Sequence, residues 1–124
     1  MKKMNYNKVT ANLMTKNIKE TLDFYTEKLG FTLLMSTDEW LLVGKDDIAI
    51  MFQDMRNLIA EYAILENDQL NPCLSLFIEV SEIEKIFASL PKDINILKPI
   101  STTSYGKQEF AIADNNGYVL TFAQ

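Results

Sequence analysis

Side-chain character alternates along Val9-Thr10-Ala11-Asn12-Leu13-Met14, the period of a half-buried strand. Asn17 then fits an N-cap, and apolar residues fall at Ile18, Leu22, Tyr25 and Leu29. These positions make one helical stripe, which Gly30 would end from the C′ place. Residues 31–35, 40–43 and 48–52 predict three more strands, with Asp38-Glu39 and Gly44-Lys45-Asp46-Asp47 as the turns. From 54 to 66 the period changes: Met55, Leu58, Ile59, Tyr62 and Leu65 recur at helical spacing without Gly or Pro, which predicts a connecting helix. Asn67, Asp68, Asn71 and Pro72 form a break. A strand over 74–80 follows, then a helix through Ile83, Ile86, Phe87 and Leu90 with Ser81 as its cap, stopped at 91–93. Residues 94–97, 110–113 and 118–123 carry the last strand signals, with the turn Asp114-Asn115-Asn116-Gly117 between the final two.

The order strand, helix, three strands therefore occurs twice. A shift of 65 residues lays Leu13 on Ile78, Ile18 on Ile83, Leu22 on Phe87 and Tyr25 on Leu90, and a shift of 70 lays 48–52 on 118–122. Element order and residue register agree together, as a duplicated βαβββ unit requires. The chain of 124 residues is expected to be a single domain, 1–124, of two pseudo-repeats (about 7–53 and 74–123) joined by a helical connector at 54–66. Its class is α+β, with two curved mixed sheets forming a cleft.

Composition narrows the chemistry. The chain is 48% hydrophobic and 23% charged, which fits a folded core and argues against disorder. A net charge of −5 disfavours nucleic acid and anionic membrane as partners while permitting a cationic small molecule. There is no histidine, which removes Ser-His-Asp triads, Cys-His pairs, HExxH zinc helices and the two-His facial triad. The one cysteine, Cys73, can form neither an internal disulfide nor a Cys-rich zinc site; it reads as a small buried residue rather than a nucleophile. The residues after Met1-Lys2-Lys3 hold no apolar stretch of signal-peptide length, and the longest apolar runs reach five residues where a membrane span needs about 20. A cytoplasmic protein is expected. Gly44-Lys45 is followed by Asp46, so it is not a phosphate loop.

Asn17-Ile18-Lys19-Glu20-Thr21-Leu22-Asp23-Phe24-Tyr25 with Lys28-Leu29-Gly30-Phe31 resembles the opening motif of the glyoxalase, bleomycin-resistance and extradiol-dioxygenase group, the vicinal oxygen chelate superfamily. Tyr105-Gly106, Phe110, Asp114-Asn115-Asn116-Gly117-Tyr118 and Phe122 resemble its closing motif. The departures are Asn115, where proline is usual, and Asn17, where aspartate is. The resemblance implies a homodimer. It also implies that metalloenzyme members would carry ligands at the positions occupied here by Thr10, Met51, Ser75 and Thr121. Neutral hydroxyls and a thioether are poor ligands for a hard divalent ion, so the expectation is a chain with no metal site and no cofactor. That weighs against the family's metal-dependent chemistry without deciding whether the chain is an enzyme.

Alternation assigns Ala11, Leu13, Ile50, Phe52, Leu76, Ile78, Leu120 and Phe122 to the helix-bearing face, and Thr10, Asn12, Met51, Ser75, Phe77, Val119 and Thr121 to the other. The second set mixes hydroxyl, amide, thioether and aromatic groups, as a ligand cavity does, although a wet sheet face without ligand would look the same. Trp40, Tyr105, Phe110 and Glu109 are further candidates, by analogy with members that stack aromatic rings on a flat ligand and set acidic groups near its charge. Trp40 fits cleft or core equally. Asp38, Glu39, Asp46 and Asp47 read as solvated turns. The expected role is metal-independent binding of a small cationic or aromatic molecule, antibiotic sequestration being one form. A lyase, isomerase or glyoxalase-like enzyme working without metal, with Tyr105 or Glu109 as general acid, is the alternative. A structural or regulatory dimer with a filled cleft is the third reading.

Overall fold

Each half of the chain pairs its first strand with its last. β1 (Ala11–Thr15) runs parallel to β4 (Ile48–Asp54); β4 pairs antiparallel with β3 (Trp40–Lys45), and β3 with β2 (Thr32–Ser36), giving the order β1-β4-β3-β2. β5 (Ser75–Glu79), β6 (Asn95–Thr102), β7 (Gln108–Ala113) and β8 (Val119–Ala123) repeat the order as β5-β8-β7-β6. A parallel pair needs a crossover, and helices α1 (Ile18–Asp23) and α3 (Ile83–Ser89) lie on these crossovers. α2 (Met55–Glu61) and a 3₁₀ turn (Ala63–Leu65) leave the first sheet. The computed structural model describes residues 4–66 and 74–124; the expected break at 67–72 and Cys73 lie outside the described residues. The architecture is the α+β pair of βαβββ units that the hydrophobic pattern predicts.

One face of each sheet is apolar and buried. Leu13, Leu41, Val43, Ile50 and Phe52 of the first sheet and Ile78, Phe110, Ile112, Leu120 and Phe122 of the second join Phe24, Tyr25, Phe31, Ile83, Ile94 and Tyr118 in one cluster. Each large side chain contributes about 1.5–3 kcal/mol by leaving water. The Tyr25 ring meets Phe24, Phe31 and Phe52 at centroid distances of 5.4, 5.5 and 4.9 Å. Phe110 stacks on Phe122 at 4.7 Å and meets Phe87 edge-on at 5.1 Å.

Four local features differ from the sequence reading. β1 begins at Ala11 because its ladder begins at Ala11 opposite Ile50, and Val9 is exposed. The first helix widens into a π turn over Phe24–Lys28, which lets the neighbours Phe24 and Tyr25 both enter the core. Gly30, at φ +76°, then allows the Phe31 N–H to reach the Tyr25 carbonyl at 2.8 Å, closing the helix end. Ser81 does not cap α3. The backbone turns left-handed at Glu82 (φ 58°), and the N–H of Ile83 is met instead by Gln124 Oε1 at 2.8 Å. Finally, β6 runs past the expected end at 97 to Thr102 with two register shifts. Pro99 sits inside it without penalty because β6 is an edge strand.

Candidate functional site

The open face of the first sheet is fixed by register. Asn12 lies opposite Met51, which lies opposite Leu42; Met14 lies opposite Gln53, which lies opposite Trp40. Directly paired residues share a face, so Asn12, Trp40 and Met51, three of the expected site residues, are brought together there with Met14, Leu42 and Gln53. Trp40 sits half-buried among them. Asn12 Nδ2 donates to Gln53 Oε1 at 2.9 Å, Gln53 Nε2 to Asn57 Oδ1 at 2.5 Å, and Asn57 Nδ2 to Glu39 Oε2 at 2.8 Å. Asp54 starts α2 by accepting from the N–H groups of Arg56 and Asn57, which positions the Asn57 amide over β4. Gln53 is only 8% exposed, a buried amide with one hydrogen-bonded neighbour at each end. Thr10 precedes β1, half-buried.

On the second sheet Ser75 faces Val119, Phe77 faces Thr121, and Thr121 faces Ala111. Glu109 belongs to this same face: although only 4% exposed, it accepts from Lys98 Nζ at 2.9 Å and from the Tyr105 hydroxyl. The phenol and then the ammonium hold the Glu109 carboxyl below its usual range, and the bond to Glu109 raises the Tyr105 phenol. The Glu109 charge is thus matched by Lys98 inside the face. Phe110 is a correction. One residue further along the alternating strand, it points to the helix side, fully buried against Phe87 and Phe122, and cannot touch a ligand on the open face. Lys98 was missed by the sequence reading because only the shifted register of β6 sets it opposite Ala111. Asn12 and Ser75 are exposed and Phe77 is 56% exposed, so within one chain neither open face roofs the other.

A metal, which the family's enzymes use, does not fit these faces. The positions the resemblance assigns to ligands hold Thr10, Met51, Ser75 and Thr121, whose donors are hydroxyls and a thioether. Among the described residues no group of three or more His, Cys, Asp or Glu side chains is placed to hold an ion.

The two halves meet behind the sheets. The Tyr25 hydroxyl donates to Asp114 Oδ2 at 2.6 Å, Thr15 Oγ1 to Asn116 Oδ1 at 2.7 Å, and the Tyr118 hydroxyl to the Met14 carbonyl at 2.7 Å. Asn115, in the place where proline is usual, uses its amide to reach Thr21 Oγ1 at 3.0 Å. A recess of about 280 Å³ at this junction is lined by Met14, Lys16, Glu20 and Asn115 among others. It shares only Met14 with the open faces.

Comparison with known proteins agrees with this geometry. Residues 7–122 match the glyoxalase/bleomycin resistance protein/dioxygenase superfamily, and the chain belongs to that family. Its fold is similar to that of a protein of unknown function from Agrobacterium tumefaciens, at 15% identity and TM-score 0.82, covering 97% of this chain and 94% of that one. It is also similar to a bleomycin resistance determinant encoded on the transposon Tn5 and to a bleomycin-binding protein complexed with bleomycin. Each is 18% identical with a TM-score of 0.70, covering 96% of this chain and 98% of the other. Among curated proteins none matches the chain. Among the described residues no helix is long and apolar enough to cross a membrane.

Proposed function

We propose that this protein binds a small, partly apolar, planar molecule without a metal, on the open sheet faces and chiefly on the Asn12–Trp40–Met51 face. The observation that carries the reading is that face itself: an indole, thioethers and an ordered amide chain lie side by side on a rigid sheet and remain reachable from solvent. Such a surface pairs apolar contact with a few directional polar groups. Family relatives that bind bleomycin support a small-molecule ligand, and sequestration of an antibiotic in the cytoplasm is one form the activity would take. The self-contained Lys98–Glu109 pair supports binding on the second face by stacking on Phe77 and Tyr105 rather than by a free carboxylate.

A homodimer completes the proposal. Leu34 and Met35 on β2, Phe77 on β5 and Leu97 on β6 are exposed, and a second copy would cover such apolar surface and wall the faces. The test is native mass spectrometry of the protein purified from its host. The expected result is a dimer carrying a co-purifying small molecule and no metal. A monomer that also fails to bind bleomycin or other flat cations in calorimetry would overturn the reading.

A further inference from the structure

Asparagine and glutamine present a donor at one end and an acceptor at the other, so the hydrogen-bond partners decide which end faces which way. Here a carboxylate decides. Glu39, exposed in the turn before β3, can only accept when ionised, so the end of Asn57 facing it is the NH₂ group, at 2.8 Å. The Asn57 oxygen must then face Gln53, whose nitrogen donates to it at 2.5 Å. The Gln53 oxygen in turn faces Asn12 and accepts from its nitrogen at 2.9 Å. Three amides are thereby oriented in one sense by one charge at the far end, and each bond in such a chain strengthens the next. The last atom in the series is Asn12 Oδ1, which takes no hydrogen bond from any described residue and belongs to the face beside Met51 and Leu42.

We infer that Glu39, acting through Asn57 and Gln53, makes Asn12 a dedicated hydrogen-bond acceptor, so that the face selects planar ligands bearing an N–H donor over those offering only an acceptor. Glu39 is a positioning residue and Asn12 the specificity-determining one. The inference rests on the binding role proposed above. It also explains why a buried glutamine is kept in the middle of the sheet, where an apolar residue would pack at lower cost. Left without its oriented neighbours, Gln53 would lose paired hydrogen bonds from a site with little access to water.

Two neutral, flat probes of similar size separate donor from acceptor: indole, which offers an N–H, and quinoline, which offers only a lone pair. Titrated at high salt, the native protein should hold indole about 3- to 10-fold more tightly, the worth of one neutral hydrogen bond. Glu39→Lys replaces an obligate acceptor by an obligate donor; it should reverse the three amides and invert the preference. Asn57→Leu cuts the series without adding a positive charge at its end and should leave the probes nearly equal, as should Asn12→Leu. Side-chain amide NMR reads the relay independently of any ligand. In the native protein the Asn12 NH₂ protons should lie against Gln53, and in Glu39→Lys the Gln53 NH₂ protons should lie against Asn12. An unchanged amide pattern and an unchanged preference in Glu39→Lys would overturn the inference. A reversed pattern with neither probe bound on this face would overturn the binding role and the selectivity, while leaving the orientation by Glu39 standing.

Discussion

The Tyr25 hydroxyl and the Asp114 carboxylate, 89 residues apart in the chain, meet at 2.6 Å in the interior and tie one half of the molecule to the other. Asp114 Oδ1 also accepts from the N–H groups of Asn116 at 2.9 Å and Tyr118 at 2.8 Å, shaping the turn that ends at Gly117. Burial raises the Asp114 carboxyl above its ordinary range although Tyr25 and the turn amides pull it down. Burial, and then the Asp114 charge, drive the Tyr25 phenol far upward, so it remains a proton donor at any ordinary pH.

Tyr25→Phe should cost about 1–3 kcal/mol in denaturant unfolding, because it leaves a buried carboxylate oxygen without its partner. A carboxyl raised in the folded state contributes stability at low pH that is lost as pH rises through its folded value. Removing the phenol raises Asp114 further, so the penalty should be larger at pH 7 than near pH 4. An equal penalty at both would show that Asp114 is not the partner that matters.

Glu109 titrates in the opposite sense. Its carboxyl is depressed when folded, chiefly by Tyr105 and Lys98, so its contribution is present at neutral pH and lost as pH falls through the acid range. Lys98→Met should therefore lower the melting temperature at pH 7 by more than it does at pH 3. Calorimetry at both values checks this.

The start of α3 offers a contrast between neighbours. Gln124→Ala removes the side chain that meets the Ile83 N–H and should destabilise by about 0.5–2 kcal/mol, the worth of an N-cap. Ser81→Ala should change stability by only a few tenths of a kcal/mol, as an ordinary surface substitution does.

Trp40 is the only tryptophan, so emission reports its face alone. A planar ligand should quench or shift it saturably, and Trp40→Ala should weaken that binding by about 1–2 kcal/mol, the scale of one aromatic contact with its buried area. Binding seen by calorimetry with emission unchanged would place the ligand elsewhere.

Dialysed protein is expected to hold no stoichiometric transition metal, and a chelator to leave its melting temperature where it was. Elemental analysis together with a thermal melt decides this, and one tightly held ion per chain would overturn the metal-free reading.

Element order and the two faces of each sheet were legible because period-two and period-3.6 patterns are imposed by burial, which acts along every strand and helix. Asn12, Met51, Phe77 and Thr121 share their faces with Leu42, Gln53 and Ala111 as alternation and pairing require. What burial does not encode was missed. Phe110 suggests a ligand contact by analogy with stacking aromatic rings, but the pairing of β7 with β8 sets it directly opposite Phe122 on the core face, a partner that no period within its own strand reveals. Gln53 could have been found, since it stands two residues beyond Met51 on the same strand face, but its partner Asn57 lies on a helix whose docking no local period reveals. Glu39 read as a solvated turn residue, and by exposure it is one; its hydrogen bond to a helix 18 residues on is a tertiary fact. The π turn and the left-handed Glu82 likewise answer to packing and chain reversal rather than to composition.

The pairing of β1 with β4 and of β5 with β8 also sets an order of assembly. Within each half the two antiparallel pairings join neighbours in sequence, whereas the parallel pairing must span the crossover and both hairpins. Closing the longer loop costs more chain entropy before any contact returns it. β1 and β5 should accordingly zip in last and open first, an order that amide exchange reads. Since β1 carries Asn12 and β5 carries Ser75 and Phe77, while Trp40, Met51 and Thr121 stand on strands of the antiparallel pairings, each candidate face draws part of its contacts from a strand whose amides should exchange with solvent soonest. The binding faces would then be finished only at the final step of folding.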